Sequence, residues 1–412
     1  MTLHDLTRLR EPAHEIKSFA PSAKPKDFAD DLAERARRVA DIAALHAEEV
    51  DRTARFPHEA ITAAKALGLM GVMAPRSLGG EGASLSEVAE VCYTLGRACA
   101  STAMIYAMHQ VKVACVVRHG VGSPWHESFI RKLVRDQMLV ASSTTEGQGG
   151  GNVRSSEGPI EYEGRRIRLE RAASVISYGV EADAVVTTAR RDADAAGSDQ
   201  VLAVFLRDDY TLERTLSWDT LGMRGTCSAG FTLRASGVVE QLMPVPYEVI
   251  HAESMVPAAH TLWSSAWAGI AAAAVEKARR YLRKAARGGA ETPPSAPYFT
   301  RANAALRALR ALIATSLDRY EAIEDDAEAL QAIDFQSEIA LLKVDASELA
   351  VSAVMSALRC AGLSGYRNDS DVSIGRHLRD VLSSPIMINN DRILANVAVS
   401  ALLTEAPATI RG

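Results

Sequence analysis

Three places in the sequence combine side chains that could carry out chemistry. Thr145 begins a segment whose residues 147–151 are rich in glycine, so backbone N–H groups and a hydroxyl there can donate hydrogen bonds to an electron-rich acceptor. His260 could act as a base because the pKa of histidine lies near neutrality, although a solvated histidine at a helix start would look the same. Asp391 offers a carboxylate base, but an acid that follows two asparagines is also typical of a helix's first turn.

Cysteine spacing and charge exclude several other kinds of site. The five cysteines are scattered and not in CxxC pairs, which argues against a disulfide framework or a zinc site, so no metal is expected. The chain has 46 basic and 51 acidic residues without a long basic run, so nucleic acid is not an expected partner. The first residues lack a signal-peptide core, and no apolar stretch approaches the roughly 20 residues that span a bilayer. We therefore expect a cytoplasmic protein without a membrane partner.

The elements that must position these residues fall into three blocks. Apolar residues recur at three- and four-residue spacing in segments 32–55 and 85–119, which predicts helices. Short strand-like runs replace this pattern from about residue 140 to 246, and long alanine- and leucine-rich helical stretches follow. The sequence predicts an α+β fold with an N-terminal helical domain over 25–139, a central β domain over 140–247 and a C-terminal four-helix bundle over 248–412.

Four local sequence patterns follow one another along the chain. They are Phe56-Pro57 with Leu67-Gly68-Leu69 and Pro75 to Gly82, then Thr145 to Val153, then Ala172 to Ser177 with Ala182-Asp183, and finally Trp218 to Ser228. The last pattern is the most specific, because the residues that turns prefer do not by themselves explain so many matches to the motif of one family. Together with the helical blocks on either side, they cover about Asp30 to Leu403. This set resembles the acyl-CoA dehydrogenase superfamily of flavoproteins.

The resemblance implies a central β-barrel between the helical blocks and an FAD bound where the barrel meets the bundle. The residues it places near the cofactor are Ser143, Thr145, Ser177, Arg283, Arg359 and Gly362. The last three correspond to a region that, in the family, contacts the dinucleotide of a neighbouring subunit. The resemblance therefore implies a homodimer or homotetramer.

The resemblance also implies α,β-dehydrogenation of an acyl thioester, which needs a base for the α-proton and donors to the thioester oxygen. Ile388 stands where the family usually has its catalytic Glu, and Ala259 stands at the alternative position of that base. The backbone N–H of Ile388 can still polarise a carbonyl. Asp391, three residues later, becomes the candidate base if a helix has begun by then. The candidates for substrate contact are Gly150, Gly151 and His260.

Three functions stay open at this point. The first is an FAD-dependent dehydrogenase that acts on an acyl-CoA or a carrier-bound acyl group with a relocated base. The second is a flavin-dependent monooxygenase or N-hydroxylase of the same fold, which would not need a carboxylate at position 388. The third is a non-catalytic flavin-binding subunit. The electron acceptor is not encoded in any motif.

Overall fold

The computed structural model describes residues 31–146, 153–287 and 293–402. The chain begins with a helical block in which α3 starts at a capping box, where the Ser84 and Glu87 side chains each accept a hydrogen bond from the other's backbone N–H. The helices of this block are Leu32–Thr53 (α1), His58–Ala66 (α2), Leu85–Ala98 (α3), Ala100–Gly120 (α4) and Pro124–Asp136 (α5).

The central block consists of seven described strands in two sheets. The strands are Val140–Ser143 (β1), Glu161–Glu163 (β2), Arg166–Ile176 (β3), Ala184–Arg190 (β4), Gln200–Leu206 (β5), Tyr210–Leu216 (β6) and Ala229–Val238 (β7). One sheet has the order β1-β4-β5, with β1 and β4 parallel, and the other has the antiparallel order β2-β3-β7-β6. In the described residues the region predicted as a barrel is thus two sheets, and isolated bridges such as Glu146–Ala173 pair strand residues with the loops between strands.

The burial of the strands explains their sequences. Residues of β4 and β5 are buried on both faces except at one end, which accounts for their nearly continuous apolar runs. The first part of β3 alternates between exposed and buried residues, as expected for a strand with one solvated face.

Long helices form the C-terminal block. Its elements are Tyr247–Ile250 (α6), Val256–Arg287 (α7), Pro297–Ile323 (α8), Ala327–Gln331 (α9), Ile333–Tyr366 (α10), Gly375–Val381 (α11) and Asn390–Ala401 (α12). A π-helical turn over His251–Met255 joins α6 to α7. Helix α10 packs against α7, α8 and α12, so these four make the predicted bundle. The predicted α+β fold is confirmed.

Helix α3 of the first block packs closely on α7 of the bundle. A Cβ at Gly96 would lie 2.3 Å from the Ala266 carbonyl oxygen, and one at Gly269 would lie 2.3 Å from the Tyr93 carbonyl oxygen. Only glycine allows the two backbones to come this close. The crossing fixes the N-terminal block, including α4, against the bundle.

Candidate active site

A cavity of about 790 Å³ lies where the sheet region meets the two helical blocks. Residues from β1, β3, the loop before β7, α4, the start of α7 and the segment after α11 line it. A cleft between the sheet region and the bundle is what the resemblance requires for a flavin ring. Two sides of this cavity differ in chemistry.

The sheets and the loop before β7 line the cavity with hydroxyl groups beside apolar side chains such as Val175 and Leu221, and we call the hydroxyl-bearing part of this lining the hydroxyl wall. Its members are Thr144, Thr145, Ser174, Ser177, Thr226 and Ser228. Ser177 Oγ lies 2.7 Å from Ser228 Oγ, which in turn lies 2.8 Å from Thr226 Oγ1. These contacts hold the hydroxyls in place, and each hydroxyl has one proton and two lone pairs, so the wall can both donate to and accept from a ligand.

The loop before β7 is held against α11 by backbone contacts. A Cβ at Gly222 would lie 2.1 Å from the Arg379 carbonyl oxygen, so only glycine fits there. The Met223 N–H donates to Asp380 Oδ1 at 2.7 Å, and Arg379 forms a two-pronged ion pair with Asp51 of α1. Burial raises the pKa of Asp380 from 3.8 to about 6, against the opposing effect of Arg376. The Arg379-Asp380 pair therefore fastens the loop to the helical blocks.

The helices line the cavity mainly with apolar side chains, and we call this part of the lining the apolar wall. Met104, Met108 and Val111 lie on one face of α4, at the spacing that brings residues of consecutive turns together. The π-helical turn and α7 add Met255, Val256, Ala259 and Trp263. These side chains exclude water and would hold an apolar molecule.

Two histidines interrupt the apolar wall. His260 Nδ1 lies 2.8 Å from the Ile339 carbonyl oxygen, which can only accept, so Nδ1 carries the proton and Nε2 keeps a lone pair. Burial lowers the pKa of His260 to about 4. His251, on the π-helical turn, has its pKa lowered to about 3, mainly by burial and further by Arg154, His260 and Lys112. Both rings are neutral at pH 7.

Lys112 of α4 also lines the cavity and is only 3% exposed. Its Nζ lies 3.4 Å from Met255 Sδ, and burial lowers its pKa to about 8. The sequence analysis did not single out Lys112 or His251. The available signal was a lysine within the otherwise apolar face of a long helix.

Ile388 lines the cavity with an unusual backbone conformation. Its φ is +55°, which is strained for a β-branched residue and is the kind of outlier that occurs at functional sites. No described residue accepts a hydrogen bond from its N–H, whereas its neighbours Met387 and Asn389 donate theirs to Ser383 and Ile386. This geometry leaves the Ile388 N–H available, as the backbone role predicted for it requires.

The structure places two predicted residues outside the cavity lining. Asp391, predicted as a base, is exposed on the first turn of α12, where its N–H donates to the capping side chain of Asn389 at 3.0 Å. An acid there suits the helix dipole. Ser143, predicted near the cofactor, is fully buried in β1, while Ser142 and Thr144 line the cavity. Alternate strand residues face opposite sides, so the Ser143 side chain does not line the cavity, and its contact with the cofactor stays a prediction.

The predicted dinucleotide contacts also lie away from this cavity. Arg359 is exposed, with its guanidinium carbon 3.9 Å from the centre of the Tyr298 ring, and Arg283 is exposed near the end of α7. Gly362, at φ +56°, breaks α10. None of the three lines the cavity. Gly150 and Gly151 lie outside the described residues.

Carboxylates are missing from the described lining of the cavity. Its titratable side chains are Lys112, His251, His260 and Arg379. Within the described ranges, no three His, Cys, Asp or Glu side chains are grouped to hold a metal ion. The same residues contain no helix long and apolar enough to span a membrane.

Comparison with known protein families shows which family this chain belongs to. Residues 27–124 match the acyl-CoA dehydrogenase N-terminal domain and residues 259–403 match the acyl-CoA dehydrogenase C-terminal domain. This chain belongs to the acyl-CoA dehydrogenase superfamily. Membership confirms the resemblance and makes the protein a flavoprotein oxidoreductase.

Similar proteins of this superfamily cover most of the chain. It is 26% identical to the probable acyl-CoA dehydrogenase YngJ of Bacillus subtilis, over 82% of this chain and 87% of that one. It is also 26% identical to cyclohex-1-ene-1-carbonyl-CoA dehydrogenase of Geobacter metallireducens, over 87% of this chain and 93% of that one.

Solved structures share the fold at lower identity. Dibenzothiophene monooxygenase of a Paenibacillus species is 19% identical with a TM-score of 0.77, covering 91% of this chain and 98% of that one. Nitrososynthase of Micromonospora carbonacea is 23% identical with a TM-score of 0.77, covering 90% and 95%.

The cavity residues fit a flavin. A flavin ring carries nitrogen and oxygen atoms along one edge, and the hydroxyl wall offers hydrogen-bond donors and acceptors for them in a cavity of about 790 Å³. Thr145 and Ser177, both predicted to contact the cofactor, belong to the hydroxyl wall. This wall would hold the polar edge of the ring.

Proposed function

We propose that this protein is a flavin-dependent monooxygenase that oxidises a small, largely apolar molecule bound against the apolar wall. The observation that carries the proposal is the absence of Asp and Glu from the described lining of the cavity. Dehydrogenation of an acyl thioester needs a base strong enough to remove a weakly acidic C–H proton. Oxygenation does not need that base.

The histidines do not replace the missing carboxylate in this proposal. Taking up a proton would place a charge on the buried His260 ring, and because burial disfavours this charge it lowers the pKa of His260 to about 4, whereas a carboxylate loses its charge on taking up a proton. His260 Nε2 is suited to a lighter task, which is to accept a hydrogen bond from a substrate N–H or O–H. The Ile339 carbonyl keeps the ring in the tautomer that leaves Nε2 free for this.

The chain's other residues orient the substrate and exclude water. Met104, Met108 and Trp263 surround the apolar part of the substrate. The Ile388 N–H donates to a substrate carbonyl or other acceptor. When bound, a flavin supplies the redox chemistry. The superfamily fold accommodates such a reaction, since similar structures include a dibenzothiophene monooxygenase and a nitrososynthase.

Acyl-thioester dehydrogenation is the second candidate. The available N–H of Ile388 favours it, because a donor at this place would stabilise negative charge on a thioester oxygen. The similar proteins of Bacillus subtilis and Geobacter metallireducens are named as acyl-CoA dehydrogenases. Asp391 as its base would require the start of α12 to rearrange toward the cavity.

We also propose FAD as the cofactor and a homodimer or homotetramer as the assembly. The exposed positions of Arg283, Arg359 and Gly362 suit contact with a dinucleotide held by another subunit. Release of the cofactor by heat followed by chromatography distinguishes FAD from FMN. Light scattering gives the size of the assembly.

Two measurements on the flavin-loaded protein separate the candidates. Under anaerobic conditions, isovaleryl-CoA and cyclohexenecarbonyl-CoA serve as thioester probes, and flavin bleaching without another reductant would favour dehydrogenation. With NADH, a flavin reductase and labelled dioxygen, mass spectrometry of an apolar probe such as indole tests oxygen incorporation. We expect labelled oxygen in the product and no bleaching by thioesters. A protein that takes up no flavin would support the non-catalytic interpretation.

A further inference from the structure

We propose that Lys112 and His251 form an anion-binding end of the substrate cavity, so the substrate is an apolar molecule that carries one anionic oxygen, as a carboxylate or phenolate. This proposal rests on the proposed function, because it names the substrate class for that same cavity. It concerns residues of the apolar wall and not those of the hydroxyl wall.

The contacts of Lys112 are the first support. The side chain is only 3% exposed, and the only described hydrogen-bond acceptor for its ammonium is Met255 Sδ, at 3.4 Å. The same sulfur accepts a hydrogen bond from Tyr247 Oη at 3.2 Å. A thioether is a weak acceptor and this one is shared. A buried ammonium is normally paired with a carboxylate or several strong acceptors.

The surrounding charges do not supply the missing anion. The charged or titratable groups that interact with Lys112 are Cys115 on its own helix, Arg171 on β3 and His251 on the π-helical turn. Arg171 is paired with the Glu146 carboxylate, whose Oε1 lies 3.6 Å from Arg171 Nε, so Lys112 keeps the uncompensated charge. Burial raises the pKa of the Cys115 thiol to about 11, so that thiol is neutral. The described lining contains no Asp or Glu. This end of the cavity is therefore positive.

His251 completes the pair of donors. Its pKa of about 3 keeps the ring neutral at pH 7, so it adds no repulsion to Lys112 and can donate one N–H. No described residue forms a hydrogen bond with it, although its ring packs edge-on against Tyr247 at 5.6 Å. An ammonium and a ring N–H can together hold one anionic oxygen group.

The rest of the apolar wall defines the body of the ligand. Lys112 follows Met104, Met108 and Val111 along one face of α4, so the charge stands at the end of an apolar strip. Arg379, the other cation of the lining, is already paired with Asp51. The anionic group is thus directed to Lys112.

Isothermal titration of the full-length protein with matched probes tests the proposal. Benzoate and benzamide have the same shape but differ in charge, and 4-nitrophenolate and 4-nitroaniline test a phenolate in the same way. We expect at least about tenfold tighter binding of one anion than of its neutral partner, as for a hydrogen bond to a charged group. Preference for benzoate identifies a carboxylate, and preference for 4-nitrophenolate alone identifies a phenolate. Equal affinities for both pairs would overturn the proposal.

Variants assign the preference to Lys112. Lys112→Met should abolish it, while Lys112→Arg should retain part of it. Lys343→Met is the matched control, because Lys343 is also fully buried with its pKa lowered to about 8 but does not line the cavity. A preference that survives in folded Lys112→Met protein would contradict the proposal. If this variant does not fold, the wild-type ratio and Lys112→Arg still decide.

Flavin content is measured separately in each sample from visible absorbance. A protein that prefers the anion but holds no flavin would refute the proposed function and retain the anion site. A protein that holds flavin but binds both probes equally would refute the anion site alone. The two failures are therefore distinguishable.

Discussion

The two walls of the cavity are built from different parts of the chain and present different chemistry. The hydroxyl wall comes from strands and their loops, and its side chains bond to one another, as Ser177 does to Ser228 at 2.7 Å. The apolar wall comes from α4 and α7, and its polar groups Lys112 and His251 lack strong described partners. This difference supports the proposal that the hydroxyl wall holds the cofactor and the apolar wall holds the substrate.

Substitutions that add bulk to one wall at a time test most directly whether the hydroxyl wall holds the cofactor and the apolar wall holds the substrate. Ser177→Leu adds a bulky side chain to the hydroxyl wall, and Ala259→Leu adds one to the apolar wall. We expect Ser177→Leu to weaken flavin binding by about a hundredfold, since overpacking displaces the ring. Ala259→Leu should retain flavin and lose probe binding. Equilibrium dialysis and titration measure both, and the opposite pattern would reverse the assignment of the walls.

The contact between the loop before β7 and α11, which Asp380 makes with the Met223 N–H, should make the stability of the protein depend on pH. Burial raises the pKa of Asp380 from 3.8 to about 6, so the folded protein binds an extra proton between these values. Stability contributed by this group is then present below about pH 4 and lost as the pH rises through about 6. Asp380→Asn keeps an oxygen for the Met223 N–H. It should be more stable than the wild type at pH 7, by up to roughly 3 kcal/mol.

Urea unfolding across this pH range measures the difference between variant and wild type. Asp391→Asn, which removes an exposed acid of the next helix, controls for the loss of one negative charge. If the difference in unfolding free energy between Asp380→Asn and the wild type does not change between pH 4 and 7, Asp380 is not held in the folded protein as described.

Arg359 tests whether the cofactor extends beyond the cavity. If the cofactor is FAD and its dinucleotide reaches Arg359, Arg359→Ala should weaken FAD binding about tenfold and leave FMN binding unchanged, because a charge-assisted contact is lost. Arg301→Ala is the control, since Arg301 also stacks on Tyr298, at 5.7 Å, but was not predicted as a cofactor contact. Equal effects on FAD and FMN would place the dinucleotide elsewhere.

Sequence patterns predicted the helix–sheet–helix order and several residues of the site, and the reasons for the exceptions are physical. Periodicity and motifs report local structure, so Thr145, Ser177, His260 and Ile388 were found and all line the cavity. Ser143 does not line the cavity, because a strand reverses its faces at every step. Lys112 and Met255 are 143 residues apart, and no local pattern brings them together.

Substitutions at Ile388 have the smallest expected effect on stability, but its positive φ should reverse the usual order of the Gly and Ala variants. At most positions Gly is less stable than Ala by about 0.5–1 kcal/mol, because the unfolded chain gains freedom. At φ +55° the order should reverse, since Ala suffers the strain that Gly avoids. We therefore expect Ile388→Gly to be more stable than Ile388→Ala by about 1 kcal/mol in urea unfolding. Ile386, which is 76% exposed and not at positive φ, should show the ordinary order. Finding the ordinary order at both positions would mean that Ile388 does not present its N–H to the cavity as described.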